Sequence, residues 1–592
     1  MTVRENERET SLNTASISLH SPTLIAPGQE PSCQFMPNPG PSLRAPVLWL
    51  LVPFMAGIAV ADGRPTTSGF AIIILVGLSA GLGLVGSWLA GRTGRTSRWL
   101  WPWAMIGAGT LAGFVALHVR SPRLAGPEAA PREVVVELEA DQLFTPAPGR
   151  KTLSGLGRIV ATDRHLTTLI GQRVYFSAIK KISVSPARAG RYQVRGVLQP
   201  LASIGTKNTD TETIAGFQRY LESAGIRLTL NRAQVIREVR APGRFRQWCA
   251  RTENRLETIL RHGIERQPAA TSLYLGMLLG EKAALSAEQQ NAFMRSGTFH
   301  IFSISGLHVG VIASAILALL QLLRLSRRIA TIIGLTILWL YVQITGASVP
   351  AERAFLMIAF LFGSRLFRLP ANSLAALTAA AFLTLWLDPQ QLFSAGFQMS
   401  YAVVTALIVM SAPLAERWQA NWQPWRDLPE ADWGWPRHWA AGLGRKIIGA
   451  WAATWVALIA SIPSSIGYFR LCSPGALLAN LLIIPLSSLA IIAGFASLVG
   501  GLGGLTGVSL VFNHAAVVII LTMDWLVLHG TELPGIYFVA QFTASWIAPV
   551  ALVLLLAVIA TGSSLHWPRR WGATWWPALT VMLILFFGVK FG

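Results

Sequence analysis

A charge-free segment from Thr298 to Leu323 limits what this chain can fold into more than any other feature. At about 1.5 Å per residue, a helix of this length crosses a hydrocarbon layer of about 30 Å. Its first half is nevertheless polar and small, with His300, Ser303, Ser305, Gly306, His308 and Gly310. Each imidazole or hydroxyl in lipid needs a hydrogen-bond partner, and glycine permits close approach of another helix. We therefore expect this half to face protein or water.

The composition excludes a set of soluble domains. The 592 residues are 52% hydrophobic and 13% charged, which is typical of a polytopic α-helical membrane protein. The formal net charge of +21 fits either an anionic partner or positively charged loops that fix orientation. Cys33, Cys249 and Cys472 lie far apart without metal-ligand spacing, so the sequence predicts no metal and no cofactor.

Positive charges predict the orientation of the first membrane segment. Residues 1–45 lack an apolar period and are predicted to be a disordered cytoplasmic tail, and residues 46–119 contain three predicted spans. The turn with Arg92, Arg95 and Arg98 carries no acid, which places it in the cytoplasm. The segment that follows Val119 is then predicted to lie outside.

Residues 120–246 are predicted to form a small outside β-barrel. Five short β-branched or alternating runs begin near Val134, Gly157, Gln172, Tyr192 and Ile226, and turn residues separate them. Arginines then crowd the exit from this domain, among them Arg227, Arg232, Arg237 and Arg240. Two interpretations stay open: a solvated basic surface beside anionic lipid, or a nucleic-acid track.

Two unusual helices are predicted between the barrel and the central segment, in residues 247–297. Residues 247–267 resemble an amphipathic helix along the outer face, and residues 271–280 are too short to span. Residues 298–592 hold the remaining predicted spans. The total is roughly thirteen, with the N-terminus in the cytoplasm and the C-terminus outside.

Several motifs together resemble the ComEC family, the bacterial inner-membrane channels of competence. They are Leu278-Leu-Gly-Glu-Lys282, Ser303-Ile-Ser-Gly-Leu-His-Val-Gly310, Trp339-Leu-Tyr341, Arg353-Ala354, Gly396-Phe-Gln-Met-Ser400 and Ala479-Asn-Leu-Leu-Ile-Ile-Pro485. The resemblance implies transport of single-stranded DNA without enzymatic activity. It also implies an oligonucleotide-binding (OB) fold for the barrel, in which Phe217–Ile226 looks like the helix-to-strand passage.

The resemblance implies partners as well. The sequence has no His-x-His-x-Asp-His cluster of the metallo-β-lactamase domain that many ComEC proteins carry. We therefore expect a form without that domain, with separate proteins as DNA receptor, nuclease and cytoplasmic motor or DNA-binding protein. Whether the chain forms a homo-oligomer stays open.

Polar residues within the predicted spans are the candidate pathway. On an ideal helix, His300 and His308 are about 80° apart and can share one cavity, although both also suit helix packing. Glu352 and Arg353 are either an interfacial ion pair or a charged gate. Gln398 and Ser400 fit helix-to-helix hydrogen bonds or a conduit wall, and Tyr341 can stack on bases. Asp388-Pro389 is interpreted as a helix-ending turn.

Two other functions compete with DNA transport. One is a channel or exporter for another anionic solute, which the composition does not distinguish from a DNA channel. The other is an intramembrane serine protease, because Ser303-Ile-Ser-Gly306 partly resembles the nucleophile motif of rhomboid proteases and His514 lies on another span. The first motif position is Ser rather than Gly, so we favour transport.

Overall fold

The structure is a computed structural model that describes residues 47–62, 69–90, 95–120, 131–144, 152–179, 188–201, 221, 226–280, 287–302, 304–369, 371–422, 424–425, 428, 433–564 and 576–591. Three predictions lie outside these residues: the tail at 1–45, most of the passage Phe217–Ile226, and Ser303.

Helices make up most of the described chain. Their bounds are α1 Leu48–Asp62, α2 Gly69–Ala90, α3 Arg95–Arg120, α4 Arg244–Arg261, α5 Pro268–Leu279, α6 Ala287–Arg295, α7 Gly306–Leu322, α8 Arg327–Ile344, α9 Val349–Leu366, α10 Ser373–Leu387, α11 Ala395–Ala406, α12 Ala412–Asn421, α13 Trp435–Phe469, α14 Ala476–Leu502, α15 Thr506–Gly530, α16 Ile547–Ser564 and α17 Trp576–Gly588. Within the described residues, seven helical stretches are long and apolar enough to cross a membrane. The prediction of a multi-pass membrane protein is confirmed, and the count of roughly thirteen spans stays a prediction.

The predicted small barrel is confirmed. Its strands are β1 Arg132–Phe144, β2 Thr152–Thr162, β3 Arg173–Ile179, β4 Arg191–Pro200 and β5 Leu228–Arg240. They close in the order β1-β2-β3-β5-β4, with β3 and β5 parallel and the other neighbours antiparallel. Alternate residues of β1 fill the interior, including Val134, Val136 and Leu138, because side chains of a strand point to opposite faces in turn.

The barrel contacts one end of the helical bundle. Arg173 Nη1 lies 3.1 Å from Asp388 Oδ2, and Arg188 Nη1 lies 3.4 Å from the position a Cβ would take on Gly346. Asp388 also ends α10 and accepts a hydrogen bond from the backbone of Gln390, so the predicted helix-ending turn is confirmed. We call this end of the bundle, which carries Gly346 and Asp388, the barrel face.

A short three-stranded sheet lies at the same face. Its strands are β6 Leu471–Cys472, β7 Phe538–Phe542 and β8 Val589–Phe591, in the order β6-β7-β8. The Tyr468 hydroxyl, just before β6, donates to the carbonyl of Phe393, which follows Asp388 in the same 3-10 turn. The ends of α13 and α17 and the start of α14 therefore meet the barrel face.

Helix α4 was expected to lie along the outer face of the membrane. In the structure it runs along the side of the helical bundle, from one end to the other. At one end Phe245 stacks on Trp339 of α8, near the barrel face, with ring centroids 5.6 Å apart. At the other end Asn513 Nδ2 donates to the carbonyls of Ile259 and His262 at 2.9 and 3.0 Å. Asn513 is only about 10 Å from the start of α15, which lies at the end opposite the barrel face. The amphipathic pattern predicted the helix but not its direction, which these contacts determine.

Helix α5, which is too short to span and was expected to be re-entrant or interfacial, is buried among other helices. Leu273, Tyr274 and Leu275 are almost fully shielded, and a Cβ on Gly494 of α14 would overlap Leu278. Glycine at this point lets α14 approach α5 closely. The hairpin of α4 and α5 thus joins α7, α8, α14 and α15 in one apolar core.

Candidate functional site

The central segment is not one continuous helix but a short 3-10 turn followed by a capped α-helix. A 3-10 turn covers Phe299–Phe302, and α7 starts at Gly306 with Ser305 as its N-cap. His308 Nδ1 lies 2.8 Å from Ser305 Oγ and accepts from the Ser305 backbone N–H at 3.3 Å, which completes a capping box. The expected angle of about 80° between His300 and His308 therefore does not apply, because it assumed one ideal helix.

Among the described polar residues of this segment, His308 and Thr298 are fully enclosed. His308 is the one of the two with an ionisable side chain. Its side chain is 0% exposed, and its Nε2 has no hydrogen-bond partner of good geometry. Buried polar groups are paired in most proteins, so such an atom calls for an explanation. His300 lies in the preceding turn, within electrostatic range of His308.

The two glycines of α7 have different surroundings. A Cβ on Gly306 would lie 3.9 Å from the Ala354 Cβ of α9, which is ordinary contact. A Cβ on Gly310 would meet no atom within 4 Å. Gly306 thus lies close to α9, whereas Gly310 opens onto free space one turn further along the helix.

Arg353 connects α9 with α11 below the barrel face. Its guanidinium is 3% exposed, and Nη2 donates to the Gly396 carbonyl at 2.9 Å and to Ser400 Oγ at 3.0 Å. Its Nε is buried without a hydrogen-bond partner. A charge buried this deeply is costly unless it is well paired, so a buried arginine with a spare donor needs an explanation.

Two other predicted pathway residues make structural contacts. The Tyr341 hydroxyl donates to the Leu278 carbonyl at 2.6 Å and so ties α8 to the end of α5. Gln398 Nε2 donates to the Leu392 carbonyl at 3.1 Å, within the turn that precedes its own helix. Their expected roles in the pathway stay predictions, and the described contacts favour packing for both.

Glu352 and Arg353 point to different partners. While Arg353 contacts α11, Glu352 is exposed and lies within electrostatic range of Arg188 from the barrel and Arg246 from α4. Arg188 Nε donates to the Asp141 carbonyl at 2.9 Å. Burial lowers the pKa of the Arg188 guanidinium, and the like charge of Arg246 lowers it further. The barrel, α4 and α9 therefore meet in one charged junction.

The four predicted DNA-binding arginines lie on or beside β5. Arg227, Arg232, Arg237 and Arg240 are all exposed. Arg237 Nε donates to Gln193 Oε1 at 2.9 Å, and Arg232 has a left-handed backbone with φ of 51°. The exposed face of α4 continues the series with Arg244, Arg251, Arg255 and Arg261.

The sequence analysis missed a buried polar network at the opposite end. Asn513 Oδ1 accepts from Ser497 Oγ at 2.6 Å and from the Tyr274 hydroxyl at 3.2 Å. Ser497 Oγ also lies 2.9 Å from Ser509 Oγ. An asparagine inside the apolar run of α15 was the available signal, because amides in spans usually bond to a neighbouring helix.

Five helices contact one another in a closed sequence beneath the barrel. Helix α7 contacts α9, α9 contacts α11, α11 contacts α13, α13 contacts α14, and α14 returns to α7. We call these five helices the ring. His308, Arg353 and Ser400 lie on three of them, near their ends at the barrel face. Within the described residues, no three His, Cys, Asp or Glu side chains gather as a metal site would require.

Comparisons with known proteins relate part of the chain to competence proteins. Residues 277–567 match the family model described as "Competence protein". A stretch of 145 residues is 32% identical to "ComE operon protein 3" of Bacillus subtilis (strain 168). This stretch is 24% of this chain and 19% of that relative. The match therefore spans about a fifth of the relative's length. No solved structure matches the chain. Residues 277–567, just under half of the chain, are therefore similar to competence proteins, in agreement with the resemblance to the ComEC family.

Proposed function

We propose that the chain transports single-stranded DNA across the bacterial inner membrane during DNA uptake. Similarity to competence proteins supports a role in uptake. The observation that carries the proposal is Arg353, a buried intramembrane cation with an unpaired Nε, on a ring helix beneath the docked barrel. A phosphate backbone cannot shed its charge, so its path must offer charged and polar groups at membrane depth.

The barrel is proposed to receive the strand. Its order β1-β2-β3-β5-β4, closed and with β3 and β5 parallel, supports an OB-type fold. Such barrels bind single strands through basic grooves and stacking side chains, with little sequence preference. The exposed arginines on β5 supply the positive charge. The contact of Arg173 with Asp388, at the end of α10, links the barrel to the barrel face.

The orientation follows from the charges at the other end of the bundle. Arg324, Arg327 and Arg328 flank the turn between α7 and α8, and Arg365 and Arg368 follow at the end of α9. The positive-inside rule places these in the cytoplasm, so the barrel face and the C-terminus would lie outside. DNA receptor, nuclease and cytoplasmic motor would be separate proteins, and homo-oligomer formation stays a prediction.

The competing functions have less support. The hydrogen bond between Ser305 and His308 could suggest a nucleophile with its base, but it uses Nδ1 within a helix cap. His514 lies on α15, where its Nδ1 bonds to the Leu510 carbonyl of its own helix. A channel for another anionic solute would use the same buried arginine, and the barrel arginines favour DNA.

Deletion of the gene tests the proposal. We expect the deletion strain to adsorb added DNA normally and to lose transformation, measured as resistant colonies with adsorption of labelled DNA scored separately. Transformation at the wild-type frequency would contradict a transport role in DNA uptake. Loss of both adsorption and transformation would indicate a receptor instead.

A further inference from the structure

Five buried polar atoms without hydrogen-bond partners lie on ring helices or immediately before one. Among the described residues of the membrane region they are His308 Nε2, Ser348 Oγ, Arg353 Nε, Ser464 Oγ and Asn480 Oδ1. We call these five residues the polar layer. Ser348 is the N-cap of α9, and Ser464 and Asn480 lie on α13 and α14. No sequence signal pointed to Ser348 or Ser464, and Asn480 appeared only within the motif at residues 479–485.

The members of the polar layer share one depth. Each lies within about one and a half turns of the helix end at the barrel face, or roughly 8 Å at 1.5 Å per residue. His308 and Arg353 follow the starts of α7 and α9, Asn480 follows the start of α14, and Ser464 precedes the end of α13. Because these helices contact one another in the ring, their ends place the five residues at a similar level near the barrel face.

Packing alone does not account for this arrangement. A buried polar atom without a partner costs free energy, and an alanine or leucine at the same place avoids that cost. Ser464 and Arg353 are each 3% exposed and His308 is 0% exposed, so bulk water does not satisfy these atoms. Ser497 differs from these residues. It lies on α14, as Asn480 does, and is 0% exposed, but its hydroxyl has two hydrogen-bond partners.

We infer that the polar layer is a binding ring for the passing strand. This inference rests on the proposed function. The N–H of Arg353 Nε and the hydroxyls of Ser348 and Ser464 would donate to phosphodiester oxygens. Asn480 Oδ1 would accept, and His308 Nε2 would donate because Nδ1 already accepts from Ser305, and together they suit base edges. Several weak and partial contacts at one level allow a strand to enter without being trapped, as conduction requires.

Paired substitutions test the inference. We expect the double variant Ser464→Ala/Asn480→Leu to insert normally and to keep or raise its melting temperature, because it removes unpaired polar atoms. DNA import per inserted molecule should fall roughly tenfold, the effect of one or two lost hydrogen bonds. The single variant Ser464→Thr, which keeps a hydroxyl at this position, should import DNA like the parent chain.

Ser497→Ala is the matched control. It removes a bonded hydroxyl from α14, so its melting temperature should fall while import per inserted molecule stays at the wild-type value. If Ser464→Ala/Asn480→Leu imports DNA at the wild-type rate, the polar layer is not a binding ring. That result would leave the proposed function intact, because the deletion strain would still fail to transform. Normal transformation by the deletion strain would instead reject the proposed function itself.

A second readout does not depend on import rate. In a chain whose three cysteines are replaced by serine or alanine, Ser348→Cys, at a half-buried member of the polar layer, should react with a small polar thiol reagent. A strand arrested during import should protect it. The same reaction with and without DNA would contradict the inference.

Discussion

Arg353 of α9 donates from Nη2 to the Gly396 carbonyl of α11 at 2.9 Å, and a Cβ atom on Gly396 would lie 3.1 Å from that same Nη2. The guanidinium thus fills the space that any larger residue at position 396 would need. Because the same Nη2 reaches Ser400, one side-chain position serves both partners on α11. Glycine at position 396 therefore leaves the space that the Arg353 guanidinium needs to make these hydrogen bonds.

Gly396→Ala should disturb Arg353 without unfolding the chain. The guanidinium must move by a few tenths of an ångström, which weakens its two hydrogen bonds. A hydrogen bond to a charged group is worth about 1.5–3 kcal/mol, so we expect import to fall by roughly ten- to a hundredfold at most. Transformation frequency per inserted molecule measures this. Gly363→Ala, on α9 like Arg353 and with no atom within 4 Å of the new Cβ, is the control and should import normally.

Binding of oligonucleotides should depend on the β5 arginines. We expect the purified full chain to bind single-stranded oligonucleotides weakly and without strong sequence preference. If Arg237 and Arg240 both touch phosphate, replacing both by glutamine should flatten the salt dependence of the logarithm of the binding constant by up to about two units. Arg445→Gln/Lys446→Gln, at the opposite end of the bundle, should leave the slope unchanged. An unchanged slope in the β5 variant would assign those arginines to lipid or solvent.

Single cysteines should report the two faces of the membrane. In a chain without its native cysteines, Gln234→Cys on the barrel should react with an impermeant reagent in intact spheroplasts. Leu323→Cys, exposed at the end of α7, should react only after permeabilisation. Labelling of intact and permeabilised cells measures this, and the reverse pattern would overturn the proposed orientation.

Asn513→Ala should destabilise the chain. The substitution removes both hydrogen bonds that Asn513 donates to α4 and its loop, and takes away the acceptor that the Ser497 and Tyr274 hydroxyls share. Leaving buried groups unpaired costs about 1–3 kcal/mol. A lower melting temperature in detergent is the expected result. Asn254→Ala on the exposed face of α4 should melt like the parent chain.

The sequence predicted the elements better than their arrangement. The alternating runs of the barrel were recognisable because each strand buries every second residue, as Val134 and Val136 do. Membrane helices were recognisable from their apolar length. The direction of α4 was not, because a stripe such as Cys249, Leu256 and Leu260 fits any apolar neighbour. It took the amide of Asn513, far away in sequence, to fix that helix.

Only part of the candidate site was predictable, because a sequence shows polar residues but not the partners that they contact. His308 and Arg353 stood out because polar groups in an apolar segment are conspicuous in a sequence. Their functions depend on partners that no local pattern names: Ser305 closes a helix cap with His308, and Gly396 receives Arg353. Serines such as Ser464 are common in membrane helices, and only the three-dimensional contacts distinguish an unpaired one.

The strand is proposed to pass through the ring. Two sets of variants distinguish this path from a path along the arginine-bearing face of α4. Gly306→Leu adds bulk to α7 beside α9, and His308→Ala removes a buried imidazole from the polar layer. Arg251→Gln/Arg255→Gln neutralises the exposed face of α4, a helix outside the ring. All three proteins should insert at near-normal abundance.

The decisive measurement is DNA import per inserted molecule in these three variants. The account predicts that Gly306→Leu and His308→Ala abolish import, while Arg251→Gln/Arg255→Gln stays within about twofold of the parent chain, as expected for solvated charges. Normal import by His308→Ala together with loss of import in the α4 variant would contradict it and place the strand along α4.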